Sequence, residues 1–111
     1  MERASLELGS MRVKIDPKEL PEEGAGRVIL LDNGKEIALF CKGGTFYAID
    51  NLCPHEGGPL GDGELDGAIV TCPWHGWQFD VTTGKNMNLW DEGVKRYLVE
   101  VINNEVFVII A

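Results

Sequence analysis

Two short stretches decide how this chain is interpreted: CPH at residues 53–55 and CPWH at residues 72–75, with 16 residues between the first histidine and the second cysteine. The chain has two histidines and three cysteines, and both histidines and two of the cysteines lie in these stretches. Thiolate and imidazole are the groups that soft and borderline metal ions prefer. Cys53, His55, Cys72 and His75 therefore form a complete candidate ligand set for a metal centre.

The residues around both stretches resemble those of a known family. CPHEGGPLGDGELDG at residues 53–67 and TCPWHGWQFDVTTG at residues 71–84 are similar to a Rieske-type [2Fe–2S] ferredoxin, of the soluble, low-potential kind that serves aromatic-ring-hydroxylating dioxygenases. The resemblance implies one Rieske [2Fe–2S] cluster per chain, with Cys53 and Cys72 on one iron and His55 and His75 on the other. It assigns no residue a catalytic role, since such a protein carries an electron and makes no product.

A zinc-binding structural module is the second interpretation of the same four residues. Two cysteines and two histidines are a common zinc set, but a single residue separates Cys53 from His55, whereas zinc fingers favour roughly two to four. A β-domain without a metal is the third interpretation, and it requires this arrangement to arise by chance. The colour of the protein separates the first two, because zinc sites are colourless.

The charge distribution excludes nucleic acid as a partner. The chain has 18 acidic and 10 basic residues, a net charge of −8, whereas phosphates are bound by lysine and arginine. No lysine or arginine lies between Gly43 and Thr83. That interval contains the acidic residues Asp50, Glu56, Asp62, Glu64, Asp66 and Asp80. We expect this acidic segment to steer the metal centre toward a basic docking surface on a partner protein.

The length and the cysteine count predict one domain in the cytoplasm. At 111 residues the chain suits a single domain, residues 1–111, with residues from about 50 to 80 as the cluster-binding part. We find no apolar stretch long enough to cross a membrane and no apolar segment typical of a signal peptide. With two of three cysteines assigned to metal, no pair remains for a structural disulfide, as is usual in a reducing compartment.

The pattern of apolar residues predicts an all-β fold without helices. Strands are predicted at residues 11–15, 27–31, 36–41, 45–49, 68–71, 77–81, 95–102 and 105–110. Asn33-Gly34 predicts a hairpin between the second and third of these, and the glycine-rich residues 50–67 are predicted to be irregular. The resemblance implies the Rieske iron–sulfur fold, an antiparallel β-sandwich with a small cluster-binding subdomain of two loops.

The function implied by the resemblance is that of an electron carrier and not of an enzyme. The protein would carry one electron from an NAD(P)H-dependent flavin reductase to a terminal (di)oxygenase, with transient contacts to both. The alternative is the small Rieske-like subunit of a cytoplasmic NAD(P)H nitrite reductase. A self-contained oxygenase is excluded, because both histidines are assigned to the cluster and none remains for a catalytic iron.

The resemblance also implies a reduction potential at the low end of the Rieske range. The Rieske proteins of cytochrome bc complexes have a disulfide between the two loops and hydroxyl groups that donate hydrogen bonds to the cluster region. The corresponding positions here are Gly58 and Trp74 for the disulfide and Trp77 and Phe79 for the hydroxyl groups. Fewer donors stabilise the reduced, more negative state less.

The remaining cysteine and the tryptophans are predicted to be structural. Cys41 ends an apolar strand and is expected to be a small core residue and not a ligand. Trp74 and Trp77 flank His75 and are expected to shield the cluster from water. Trp90 is expected to lie in the core.

Overall fold

The structure, a computed structural model, describes residues 11–54, 57–74, 76–88 and 93–110. Within these ranges the regular elements are strands and two short 3-10 helices, Pro17–Glu19 and Leu60–Asp62. The strands are β1 (Met11–Lys14), β2 (Gly26–Leu30), β3 (Glu36–Lys42), β4 (Thr45–Asp50), β5 (Glu64–Asp66), β6 (Ile69–Thr71), β7 (Gln78–Asp80), β8 (Arg96–Tyr97), β9 (Val99–Ile102) and β10 (Glu105–Ile110). The predicted all-β class is confirmed. No helix in the described part of the chain is long and apolar enough to cross a membrane.

The strands pair in three antiparallel sheets. The terminal sheet has the order β1-β10-β9, the central sheet β2-β3-β4-β8 and the small sheet β5-β6-β7. The first described strand pairs with the last, since Met11 lies opposite Ile110. The second cysteine stretch lies between β6 and β7, so it connects two neighbouring strands of the small sheet.

Strand β3 supplies side chains to two separate cores, which explains its continuous apolar run. Ile37 and Leu39 lie in the first core together with residues of the terminal sheet. Ala38 and Phe40 lie in the second core together with residues of the small sheet. All four side chains have no exposed surface. Because alternate side chains of a strand point to opposite faces, a strand covered on both faces is apolar at every position.

The predicted hairpin after β2 is confirmed, but its turn has three residues in place of the two that Asn-Gly suggests. The Gly34 N–H donates to the Leu31 carbonyl at 2.9 Å, and the Leu31 N–H donates to the Lys35 carbonyl at 2.8 Å. Gly34 has a φ of +88°, whereas Asn33 is not among the residues with positive φ. The glycine therefore occupies the left-handed position that follows a type I turn in such loops.

Two predictions from the strand pattern were wrong. Residues 50–67 are not wholly irregular, because β5 lies within them and pairs with β6 through Leu65 and Val70. The predicted strand at residues 95–102 divides at Leu98 into β8, which joins the central sheet, and β9, which joins the terminal sheet. The apolar run Tyr97-Leu98-Val99 continues across this point and does not reveal a change of sheet. The prediction for Trp90 lies outside the described residues.

Glu23 stabilises the turn between β3 and β4. Its carboxylate accepts the N–H of Gly43 at 2.6 Å and the N–H of Gly44 at 2.9 Å. Both glycines have positive φ, 63° and 78°, so the tight turn directs its amide groups toward the carboxylate. These two backbone hydrogen bonds, which stabilise the ionised form, hold the pKa of Glu23 below its ordinary value of 4.5.

Glu23→Gln is expected to destabilise the fold at neutral pH but not in acid. The folded pKa lies below the unfolded one, so the stabilisation is present above the unfolded value of about 4.5 and disappears as the pH falls through the folded value. Urea midpoints of Glu23→Gln and the natural protein should differ at pH 7 and converge as the pH falls through the folded pKa of Glu23, which lies below 4.5. Glu22→Gln, at an exposed neighbouring position, should show no such pH-dependent difference. A difference for Glu23→Gln that persists unchanged in acid would contradict the interpretation.

Candidate metal centre

Loop 1 is the segment of residues 53–58 that follows β4, of which the structure describes residues 53–54 and 57–58. The Cys53 N–H donates to the Gly58 carbonyl at 2.9 Å, and the Gly57 N–H donates to the Cys53 carbonyl at 2.7 Å. Gly57 has a φ of +80°, in the left-handed region that residues with a Cβ seldom adopt. The glycine therefore allows the chain to turn back onto the cysteine.

Loop 2, residues 72–77 between β6 and β7, has equivalent hydrogen bonds among its described residues 72–74 and 76–77. The Cys72 N–H donates to the Trp77 carbonyl at 2.7 Å, and the Gly76 N–H donates to the Cys72 carbonyl at 3.1 Å. The φ of Gly76 is +79°. Each loop thus has a cysteine first, a left-handed glycine four residues later and a carbonyl acceptor one residue beyond. Two loops of the same form present one cysteine each.

The two cysteines lie in the same core. Cys53 is 2% exposed and Cys72 is 3% exposed, and both belong to the second core, with Phe79 and Leu60. A Cβ built on Gly58 would lie 2.6 Å from the Cys72 Sγ atom, so the loop 2 thiol packs directly against the loop 1 backbone. The tertiary structure therefore brings together two of the four predicted ligands.

Of the predicted ligands, His55 and His75 lie outside the described residues, as does Glu56. Within the ranges that the structure describes, no group of three or more His, Cys, Asp and Glu side chains is close enough to hold a metal ion. All three cysteines are described, and none forms a disulfide. Two buried thiols without a disulfide, presented by equivalent loops, suit a thiolate-ligated cluster.

Comparison with known families agrees with this geometry. The profile of the Rieske [2Fe-2S] domain matches residues 12–97. The chain belongs to the Rieske [2Fe–2S] domain family. As a Rieske domain it binds a [2Fe–2S] cluster of the Rieske type, and the predicted cofactor is confirmed.

Relatives of this Rieske domain include ferredoxins of dioxygenase systems. It is 44% identical over 75 residues to the ferredoxin component of the naphthalene 1,2-dioxygenase/salicylate 5-hydroxylase systems of Ralstonia sp., covering 67% of this chain and 72% of that protein. It resembles a chain in the structure of the complex of reduced oxygenase and oxidised ferredoxin in carbazole 1,9a-dioxygenase, with a TM-score of 0.79 and 30% identity. That match covers 86% of this chain and 99% of the other.

A likeness to nitrite reductase subunits is confined to the fold. The putative NADH-dependent nitrite reductase small subunit of Mycobacterium tuberculosis superposes with a TM-score of 0.77 at 22% identity, covering 91% of this chain and 97% of that one. Backbone similarity at such low identity reflects the shared β-fold and carries no function.

The predictions for the other cysteine and for two tryptophans have mixed outcomes. Cys41 is a core residue as predicted, 7% exposed, and its thiol donates to a Glu23 carboxylate oxygen at 3.6 Å. Trp77 packs against the second core of the Rieske domain, and its ring centroid lies 6.5 Å from that of Phe79. Trp74 is 56% exposed, so about half of its surface faces solvent. That these rings shield the cluster stays a prediction.

Asn51 is a structural residue of this Rieske domain that the sequence interpretation missed. Its side chain is completely buried, and its Oδ1 atom accepts the Gly61 N–H at 2.8 Å. Its Nδ2 atom donates to a Glu36 carboxylate oxygen at 2.8 Å. The main-chain carbonyl of Asn51 also accepts the Leu60 N–H at 2.8 Å. One side chain thus ties the chain before loop 1 to the chain after it and to β3. A single asparagine in a glycine-rich segment gives no such signal.

Asn51→Ala is expected to lower the free energy of unfolding by about 2–3 kcal/mol, because it leaves the buried Gly61 N–H unpaired and removes a hydrogen bond to a carboxylate. Urea denaturation followed by far-UV circular dichroism measures the loss. Asn33→Ala is the control, since its exposed side chain accepts the Lys35 N–H at 2.9 Å, and it should cost under about 1 kcal/mol. Equal losses for both variants would contradict the role assigned to Asn51.

The structure reduces the set of acidic residues that are available for the predicted docking surface. Asp50 accepts the Tyr97 hydroxyl at 2.6 Å, and Asp80 accepts the Thr82 hydroxyl at 2.6 Å. Both aspartates are therefore used within the fold. The exposed acids of the small-sheet region are Asp62, Glu64 and Asp66.

Proposed function

We propose that this Rieske domain is the electron-transfer ferredoxin of a multicomponent oxygenase system. It would receive single electrons from an NAD(P)H-dependent flavin reductase and deliver them to a terminal (di)oxygenase. The observation that carries the proposal is the pair of buried cysteines in two equivalent loops, in a chain whose sequence relatives include a dioxygenase ferredoxin component. The proposed unit is one domain, residues 1–111, located in the cytoplasm, where its three thiols would remain reduced.

We propose Cys53 and Cys72 as the thiolate ligands of one iron and His55 and His75 as the ligands of the other. When bound, the cluster accepts and releases one electron without making a product. The chain's own residues prepare the site: Gly57 and Gly76 turn each loop back on its cysteine. The small and central sheets bury both thiols away from water.

The acidic residues Asp62, Glu64 and Asp66 are proposed to guide docking to basic surfaces on the reductase and the oxygenase. They are exposed on and beside β5, which pairs with β6, the strand that leads into loop 2. Like charges concentrated beside the cluster loops raise the rate of encounter with a basic partner and make that rate depend on salt.

Visible and EPR spectra of the purified protein before and after dithionite test the proposal first. A red-brown protein whose reduced form has an average g value below that of a four-cysteine ferredoxin supports the Rieske centre. A colourless protein with one zinc per chain would overturn it. A reductase-coupled reduction assay and the mass of the isolated protein then separate a free carrier from a tightly held nitrite reductase subunit.

A further inference from the structure

Gly58 lies where the two loops meet. A Cβ built on it would lie 2.6 Å from the Cys72 Sγ atom and 3.0 Å and 3.2 Å from Cγ and Cδ2 of Trp74. Its φ is not in the left-handed region, so its φ does not exclude a residue with a Cβ. The lack of space, and not the conformation, therefore requires glycine at this position.

Trp74 covers this point from the opposite loop. The indole contacts Gly58 through Cγ and Cδ2, the atoms nearest its own backbone, while 56% of the residue faces solvent. The backbone hydrogen bonds described above close each loop on itself. The contact of Trp74 with Gly58, by contrast, crosses from loop 2 to loop 1 and lies beside the Cys72 sulfur.

We propose that Trp74, seated on Gly58, is a positioning residue that holds the two ligand loops together and limits the access of water to the Cys72 sulfur. This inference rests on the proposed function, in which Cys72 is a cluster ligand. The packing of the indole on the glycine stabilises the association of the two loops without a covalent link or a hydrogen bond. The stabilisation comes from the apolar area removed from water and from close van der Waals contact. A smaller side chain at residue 74 would remove this contact between the two loops and weaken their association.

The test is the rate at which the cluster-loaded protein loses its visible absorbance in excess chelator. Trp74→Ala should lose the cluster about tenfold faster than the natural protein, and Trp74→Phe, which keeps a ring, should recover part of the difference. Leu52→Ala is the matched control, because Leu52 is also 56% exposed and directly precedes Cys53. Its rate should stay within about twofold of the natural protein.

The reduction potential provides a second readout. Water that reaches the sulfur stabilises the more negative reduced state, so the potential of Trp74→Ala should rise while that of Leu52→Ala stays unchanged. Gly58→Ala should also speed cluster loss, because its methyl group would occupy the space between Cys72 and Trp74.

The outcomes separate this inference from the proposed function. If the natural protein shows no Rieske spectrum, the ligand assignment itself fails. If the natural protein is loaded but Trp74→Ala releases the cluster at the rate of Leu52→Ala with an unchanged potential, the inference alone is overturned. Should Trp74→Ala not accumulate as folded protein, Trp74→Leu decides in its place: severalfold faster release supports the proposal, and an unchanged rate refutes it.

Discussion

Cys53→Ser and Cys72→Ser are each expected to abolish the cluster, with loss of the visible absorbance, of the iron and sulfide content and of the EPR signal after reduction. The expectation rests on the ligand assignment proposed above. A serine hydroxyl keeps its proton at neutral pH and offers a hard oxygen, whereas an iron–sulfur cluster binds soft thiolates. Both positions are almost fully buried, at 2% and 3% exposure.

Cys41→Ser is the matched control, because all three cysteines are buried and only two are assigned to the cluster. Burial raises the pKa of the Cys41 thiol, and the nearby Glu23 carboxylate adds to the effect, so this thiol stays protonated and donates to Glu23. Cys41→Ser should keep the spectrum and the iron content of the natural protein. Loss of the cluster in Cys41→Ser, or its retention in Cys72→Ser, would contradict the assignment.

Phe79→Ala is expected to lower the free energy of unfolding by about 3–5 kcal/mol, the usual cost of removing a buried phenylalanine ring. Phe79 has no exposed surface and lies opposite Val70 on β6, in the core that contains both ligand cysteines. The cavity would therefore open beside the cluster loops. A lower urea midpoint, followed by far-UV circular dichroism on the cluster-loaded protein, measures the effect.

Leu30→Ala is the control for Phe79→Ala, since Leu30 is also a strand residue but is 67% exposed. Its free energy of unfolding should change by no more than about 0.5 kcal/mol. Visible absorbance recorded in the same titrations should fall at lower urea for Phe79→Ala than for the natural protein. If Phe79→Ala lowers the free energy of unfolding by less than about 1 kcal/mol, the neighbouring side chains of the second core fill the cavity that the ring leaves.

The sequence alone was sufficient for the features that depend on nearby residues. The family could be recognised by the resemblance of two local motifs to those of Rieske ferredoxins, because Cys53 and His55, like Cys72 and His75, lie only a few residues apart. Most strands were predicted because alternation and turn residues are local signals. The two asparagines between the predicted strands at residues 95–102 and 105–110 are such turn residues: Asn103 and Asn104 adopt positive φ, at 53° and 68°, which asparagine tolerates better than most residues.

Only the tertiary structure decided which distant residues meet. The apolar run of β3 does not reveal that alternate side chains enter different cores. The apolar run around Leu98 likewise does not reveal that the chain passes from one sheet to another. Asn51 acquires its role from Glu36 and Gly61, which are 15 and 10 residues away. Such contacts depend on the packing of whole sheets, which no local pattern encodes.

The same distinction applies at the metal centre. The residue types of the four candidate ligands and the glycines of the loops can be recognised in the sequence, because a thiol, an imidazole and a left-handed turn each require particular residues. The contact of Gly58 with Cys72 and Trp74 could not be recognised in the sequence, because it joins two loops that are separated in the chain by β5 and β6. Their proximity is set by the pairing of the small sheet and the burial of both cysteines in one core.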